Sequence, residues 1–161
     1  MERKSNITLL KNPIHLLSFG FGSGLLPGMP GTYGSFLALF LFLPLAHLSL
    51  STLLILNTIL FLIGCYCCDK TAHALGLDDP SPVVLDEIVA MFFILSFIPL
   101  SVFNYLLVFA VFRFFDIVKP WPVSWCDRNI KGGVGIMVDD MAAAVYALGV
   151  VWVVLKVFVV H

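Results

Sequence analysis

At 161 residues, with 60% hydrophobic and 12% charged side chains, the chain is too apolar for a water-soluble domain of ordinary composition. A mean hydropathy of +1.03 points to a bilayer as its solvent. The formal net charge of -1 leaves no basic surface for nucleic acid, and the length suits one domain over residues 1–161.

The chain opens with MERKSNITLLKNPIHLLSFG, which carries basic residues but no long apolar run ending at a small-residue cleavage site, so it is read as retained. Next comes GSGLLPGMPGTYGS, an irregular glycine- and proline-rich stretch in which Thr32 and Ser35 lead into the first apolar helix. Between Lys11 and Asp69 there is no Asp, Glu, Lys or Arg. That leaves room for two helices, Ser35 to about Leu48 and Thr52 to about Cys68, divided by the polar turn HLSLS. Each is short. A helix of about 16 residues reaches ~24 Å against a hydrocarbon core of ~30 Å, so local thinning or incomplete insertion is expected. Cys65 and Cys68 give a CxxC spacing, but no second ligand pair follows and Cys126 stands alone, so the thiols are read as packing.

The run IVAMFFILSFIPLSVFNYLLVFAVF, between Glu87 and Arg113, is long enough for one tilted span or for a hairpin broken near Pro99. Parity selects the hairpin. A single crossing would separate Asp78, Asp79, Asp86 and Glu87 from Arg113, Asp116, Asp139 and Asp140, whereas a turn over Pro99 to Asn104 brings them to one face. Arg3, Lys4, Lys11, Lys70, Arg113, Lys119, Arg128 and Lys131 then share that side, which the positive-inside rule makes the cytoplasm, and only Lys156 falls across. The last helix runs from about Val138 to Leu155. The expectation is an all-α integral membrane bundle of about five short hydrophobic helices, multi-pass, with one polar site facing the cytoplasm.

Nine of the ten acidic residues lie between Asp69 and Asp140, so the chemistry belongs there. A carboxylate at the bilayer centre costs roughly 2.5–3.5 kcal/mol, and acids crowded against helix ends call for cations, protons or water. Asp69, Lys70 and Asp127 are read as interface markers. The doublets differ: Asp86 and Glu87 precede the third helix, and Asp139 and Asp140 open the fifth. Capping accounts for part of this pattern but not for two doublets. Oxygen ligands from separate helices, with room for water and a phosphate, suit Mg²⁺, and Asp79 is a further candidate from the loop. In FRFFDIVKPWP, Arg113, Asp116 and Lys119 recur at three-residue spacing along one face before Pro120 stops the helix. They read either as an interfacial salt-bridge ladder beside Trp121 and Trp125 or as charge for a phosphate monoester. KGGVGIMVDD sets Gly132 and Gly133 ahead of a helix start, where backbone N–H groups can face an anion.

The strings FGSGLLPGMPGTYGS, DDPSPVVLDEIVAM, FRFFDIVKPWP and DRNIKGGVGIMVDD, spanning residues 21 to 140, resemble in order and spacing the four signature blocks of the phosphatidylglycerophosphatase A family. The resemblance implies an all-helical bundle and Mg²⁺-dependent hydrolysis of phosphatidylglycerophosphate to phosphatidylglycerol and phosphate at the cytoplasmic membrane. Its signature positions fall on Pro30, Gly31, Thr32 and Ser35, then on Asp79, Asp86 and Glu87. Arg113, Asp116, Lys119 and Pro120 follow, and the last block supplies Asp127, Gly132, Gly133, Asp139 and Asp140. Ala90 departs from the pattern, which usually has Gly there.

Other phosphatase routes lack their residues. No cysteine is followed six positions later by Arg, no DxD or PSGH block occurs, and His15, His47, His73 and His161 lie outside the charged blocks. Metal-assisted attack is the expected route, with Asp79, Asp86, Glu87, Asp139 and Asp140 as Mg²⁺ ligands and Asp116 as base; direct attack by an Asp is the alternative to water. Thr32, Ser35, Arg113, Lys119, Arg128, Gly132 and Gly133 are the expected contacts to the substrate. An ion carrier also builds its site from intramembrane acids and glycine turns, but it needs charges reachable from both faces. Helices beginning at the headgroup boundary favour a membrane lipid with a terminal phosphomonoester. No protein partner can be read from the residues.

Overall fold

The computed structural model describes residues 7–158; Arg3, Lys4 and His161 lie outside the described residues. Among the described residues the structure is helical, with no strand. Helix α1, Pro13–Ser18, starts on Asn12, whose Oδ1 accepts from the Ile14 N–H at 3.0 Å, with Pro13 in the first turn, where a missing N–H costs nothing. A 3-10 stretch, Gly20–Leu25, turns the chain through Phe21 (φ 55°) and Gly22 (φ 96°). Helix α2, Pro30–Phe42, again opens on proline. Helix α3, Leu50–Leu75, is capped by Ser49, whose Oγ accepts from the Thr52 N–H at 3.2 Å. It ends on Gly76 (φ 68°), whose N–H returns to the carbonyls of Ala72 and His73. Helices α4, Leu85–Leu95, α5, Val102–Val118, α6, Val123–Asn129, and α7, Gly132–Phe158, complete the chain.

Several boundaries differ from the sequence reading: α2 opens at Pro30 rather than Ser35 and ends at Phe42 rather than near Leu48, so Thr32 and Ser35 lie within it. Helix α3 does not stop at Cys68, because Asp69 and Lys70 change what the helix faces without breaking its hydrogen bonds; it runs on to the left-handed glycine. Helix α7 begins at Gly132 rather than near Val138. A Cβ at Gly133 would strike the Cys65 carbonyl, so Gly133 lets α7 lie against α3, while Gly132 at φ 70° makes the left-handed entry to the helix. With 26 and 27 residues, α3 and α7 reach about 40 Å, and both are long and apolar enough to cross a bilayer.

Helix α4 is different. At 11 residues it is about 16 Å long, nine of its positions are buried, and α2, α3, α5 and α7 pack around it. It is an interior strut. The chain reverses after it at Ser96 to Ser101, where Asn104 Nδ2 donates to the Pro99 carbonyl at 3.0 Å. Helices α4 and α5 therefore form the hairpin that parity demanded. Phe42 from α2 meets the Phe92 ring at 5.4 Å and Tyr105 at 6.3 Å, edge to face, and Ala143, Ala144 and Ala147 of α7 are fully buried in the same cluster. Cys67 and Cys68 pack with Met137 and Val89 in a second cluster. Outward, α3 shows Ile55, Ile59 and Leu62 and α7 shows Val145, Val153 and Val157, apolar faces left exposed among the described residues.

Candidate active site

Where α4 begins and α5 stops, a cleft of about 340 Å³ opens between the elements. Pro30 and Gly31 come from α2, Asp79 and Ser81 from the loop before α4, and Asp86 and Glu87 from the first turn of α4. Arg113 and Asp116 come from the last turns of α5, Lys119 from the residue that caps it, and Asp139 and Asp140 from α7. Asp86, Glu87 and Asp140 are closest together: one oxygen from each lies within 4.8 Å of the others. Asp86 Oδ1, Glu87 Oε2 and Asp140 Oδ2 are buried without a hydrogen-bond partner. A buried charge in that state costs on the order of several kcal/mol unless a cation or proton meets it.

Arg113 bridges the two helices of the hairpin. Its Nη1 lies 2.5 Å from Asp116 Oδ2 and 3.8 Å from Glu87 Oε1. These are charge contacts rather than aligned hydrogen bonds, since Nε and Nη1 both lack a hydrogen-bond acceptor. Gly31 makes the approach possible, because a Cβ there would strike Glu87 Oε1 and come within 2.9 Å of Arg113 Nη1. Lys119 stands apart, with φ 44° and its N–H on the Phe115 carbonyl. Its Nζ donates to Asp127 Oδ1 at 2.6 Å and to Asp139 Oδ2 at 2.7 Å. Burial opposes the charge on Lys119, but the two hydrogen bonds more than offset it and raise its pKa; the same bond to Lys119 lowers that of Asp127. Six carboxylates thus line the cleft against two cations, a formal excess of four negative charges.

The five expected metal ligands divide into the compact three and a pair, Asp79 and Asp139, on the wall towards Lys119. Asp139 and Asp140 do not open their helix; they lie about two turns inside α7, beyond the reach of its N-terminal dipole. The ladder Arg113, Asp116 and Lys119 is not one helical face, because the left-handed cap turns Lys119 away from α5 towards α6 and α7. Of the expected substrate contacts, Arg113 and Lys119 line the cleft, and Gly132 lines an adjoining pocket of about 30 Å³ with Asp78, Asp79, Asp127 and Asp139. Thr32, Ser35, Arg128 and Gly133 are not on the cleft wall. Ser35 Oγ donates to the Gly31 carbonyl at 2.8 Å inside its own helix, Thr32 Oγ1 is buried, and Arg128 is exposed on α6. The Gly133 N–H goes to Asp69 Oδ1 at 3.2 Å, so Asp69 caps α7. Ala90 is buried in the α4 core.

Sequence reasoning passed over Met29, Ser81 and Ile117, which also line the cleft. Ile117 was within reach: it follows Arg113 by one helical turn. With 53% and 60% of their surface exposed, Met29 and Ile117 give the cleft an apolar rim.

The chain matches the phosphatidylglycerophosphatase A family over residues 16–155, which contains every residue of the cleft. It belongs to that family. Phosphatidylglycerophosphatase A of Haemophilus influenzae is 46% identical over 145 residues, covering 89% of each chain. Phosphatidylglycerophosphatase A of Escherichia coli is 41% identical over 149 residues, 89% of this chain and 84% of the relative. A protein of Bacteroides thetaiotaomicron, assigned provisionally as a phosphatidylinositol-3-phosphatase, is 40% identical over 140 residues, 82% of this chain and 87% of its own. No solved structure matches the chain. Among phosphatidylglycerophosphatase A relatives, the likeness extends over nearly the whole described bundle rather than over one motif.

Proposed function

We propose that this protein hydrolyses the terminal phosphomonoester of phosphatidylglycerophosphate, giving phosphatidylglycerol and phosphate, with Mg²⁺ as its cofactor and the cleft facing the cytoplasm from the inner membrane. Family membership supports the reaction and its place in phospholipid synthesis. The observation that carries the metal is the excess of carboxylate. A cleft with a formal excess of four carboxylates over cations disfavours a phosphate until a cation meets them, and three carboxylate oxygens without partners supply the hard donor set that Mg²⁺ prefers. Asp86, Glu87 and Asp140 would hold the ion, with Asp79 and Asp139 beside them. Bound there, Mg²⁺ would neutralise phosphoryl charge and ease deprotonation of the attacking water.

The chain's own groups do the rest. Arg113, held between Glu87 and Asp116, presents its guanidinium to the phosphoryl oxygens. Water attacks phosphorus and the bond from phosphorus to the glycerol oxygen breaks. The proton released from water passes to the Asp116 carboxylate and from there to the departing alkoxide. The apolar rim of Met29 and Ile117, with exposed Trp121 and Trp125 nearby in sequence, suits a substrate whose acyl chains stay in the bilayer. Each methylene kept in lipid contributes about 0.8 kcal/mol, an anchorage no soluble ester has.

The test is phosphate release by purified protein in mixed micelles on phosphatidylglycerophosphate, phosphatidylinositol 3-phosphate and glycerol 3-phosphate, each with Mg²⁺ or EDTA. Phosphatidylglycerophosphate is expected to turn over fastest, at a rate set by its surface concentration, and EDTA to stop it. Equal rates on glycerol 3-phosphate, or activity unaffected by EDTA, would overturn the reading.

A further inference from the structure

Position 119 is conformationally expensive for the residue it holds. A helix ending in the left-handed region ordinarily carries glycine, since any Cβ is strained there, yet this cap at φ 44° is a lysine. Its side chain offers the reason. The ammonium is clamped by Asp127 at 2.6 Å and Asp139 at 2.7 Å, two carboxylates from different helices. Pro120 prevents α5 from continuing past it.

The clamp sits at the boundary between the cleft and the 30 Å³ pocket, and Asp139 belongs to both. Asp139 is 6% exposed, gives Oδ2 to Lys119, and keeps Oδ1 buried with no partner. Asp79 and Asp127 line the same small pocket, which has room for about one water-sized species. With Asp78 and Lys131 also on its lining, the pocket sets four carboxylates against one ammonium, an arrangement that would suit a second divalent cation if Lys119 were absent. With Lys119 present, Asp127 and Asp139 already have their cation.

We propose that Lys119 is a resident cation of this centre: held between Asp127 and Asp139, it takes the place of a second divalent ion, so that the protein binds one ion, at Asp86, Glu87 and Asp140. Asp127, which lies outside the cleft, is then a positioning residue acting through Lys119. The inference rests on the proposed metal-dependent reaction, and it assigns Lys119 to the centre rather than to the substrate.

The experiment counts ions. Mn²⁺ is titrated into detergent-solubilised protein and followed by electron paramagnetic resonance, with an isotherm from calorimetry, for wild type, Lys119→Gln and Lys119→Arg. Wild type is expected to bind one Mn²⁺ per chain. Lys119→Gln, which keeps a hydrogen-bond donor and loses the charge, is expected to bind two, with the spectral broadening of neighbouring ions, and Lys119→Arg to return to one. Two ions in wild type would overturn the proposal while leaving the metal-dependent reaction standing, and that result needs no variant. A single ion in a folded Lys119→Gln, with affinity unchanged, would overturn it as well. No Mn²⁺ bound by wild type at millimolar concentration would overturn both.

Discussion

Replacing Gly31 by alanine adds one methyl group at the tightest point of the cleft. That Cβ would strike Glu87 Oε1 and stand 2.9 Å from Arg113 Nη1. An ordinary contact needs about 3.5 Å, so the guanidinium retreats by about 0.6 Å and the Glu87 carboxylate by more. Both atoms end flexible side chains, so the backbone is not forced, and alanine in a first helical turn gains up to about 1 kcal/mol over glycine. Folding and activity should therefore separate. Displacing a positioned catalytic group by about 1 Å costs on the order of 100-fold in rate, about 2.7 kcal/mol of barrier. The assay is phosphate release from phosphatidylglycerophosphate in mixed micelles with Mg²⁺, beside a thermal melt of the same preparation. The expected result is a kcat lower by about 100-fold with Tm unchanged or slightly raised. Activity within about threefold of wild type in a folded Gly31→Ala protein would refute the placement of Glu87 and Arg113 against Gly31.

Two further predictions follow from the same geometry. Asp86→Asn, Glu87→Gln and Asp140→Asn are each expected to remove turnover while leaving membrane insertion intact, and the double variants to be no worse than the single ones, because a ligand set fails as a unit; near wild-type rates in any two would dismiss the group as a metal site. Single cysteines in place of Ser81 and Ser101, exposed at opposite ends of the α4–α5 hairpin, should be labelled by an impermeant reagent from opposite sides of a sealed vesicle, and labelling of both from one side would contradict the proposed orientation.

Much of the helical pattern was legible because charge is absent from long runs, and the hairpin was legible because the acids had to meet. The ends were harder. Gly132 and Gly133 look alike in sequence, since glycine's freedom and its smallness leave the same letter; φ 70° at Gly132 uses the freedom, and the Cys65 carbonyl against Gly133 uses the smallness. Gly76, by contrast, follows a helical run directly and could have been taken as the true end of α3. The cleft residues were found through their charges, yet their pairing was not. A three-residue spacing predicts a shared face only while the helix lasts, and Lys119 is the residue at which it stops. Ser35 shows the converse: its hydroxyl reads as a ligand, but a serine inside a helix can satisfy itself on the carbonyl one turn back.

The close group of carboxylates draws on helices from the middle and the end of the chain: Asp86 and Glu87 sit on α4, whereas Asp140 sits on α7. During synthesis the first two emerge well before the third, and α4 has no wall on its α7 side until the last helix arrives. A growing chain thus carries two acids that lack the third member of their set. Under the proposed metal-dependent reaction, competence comes late and all at once, and a chain truncated before α7 would be inert however well its earlier helices were inserted. Biogenesis itself would then keep an unfinished copy from acting on the membrane around it.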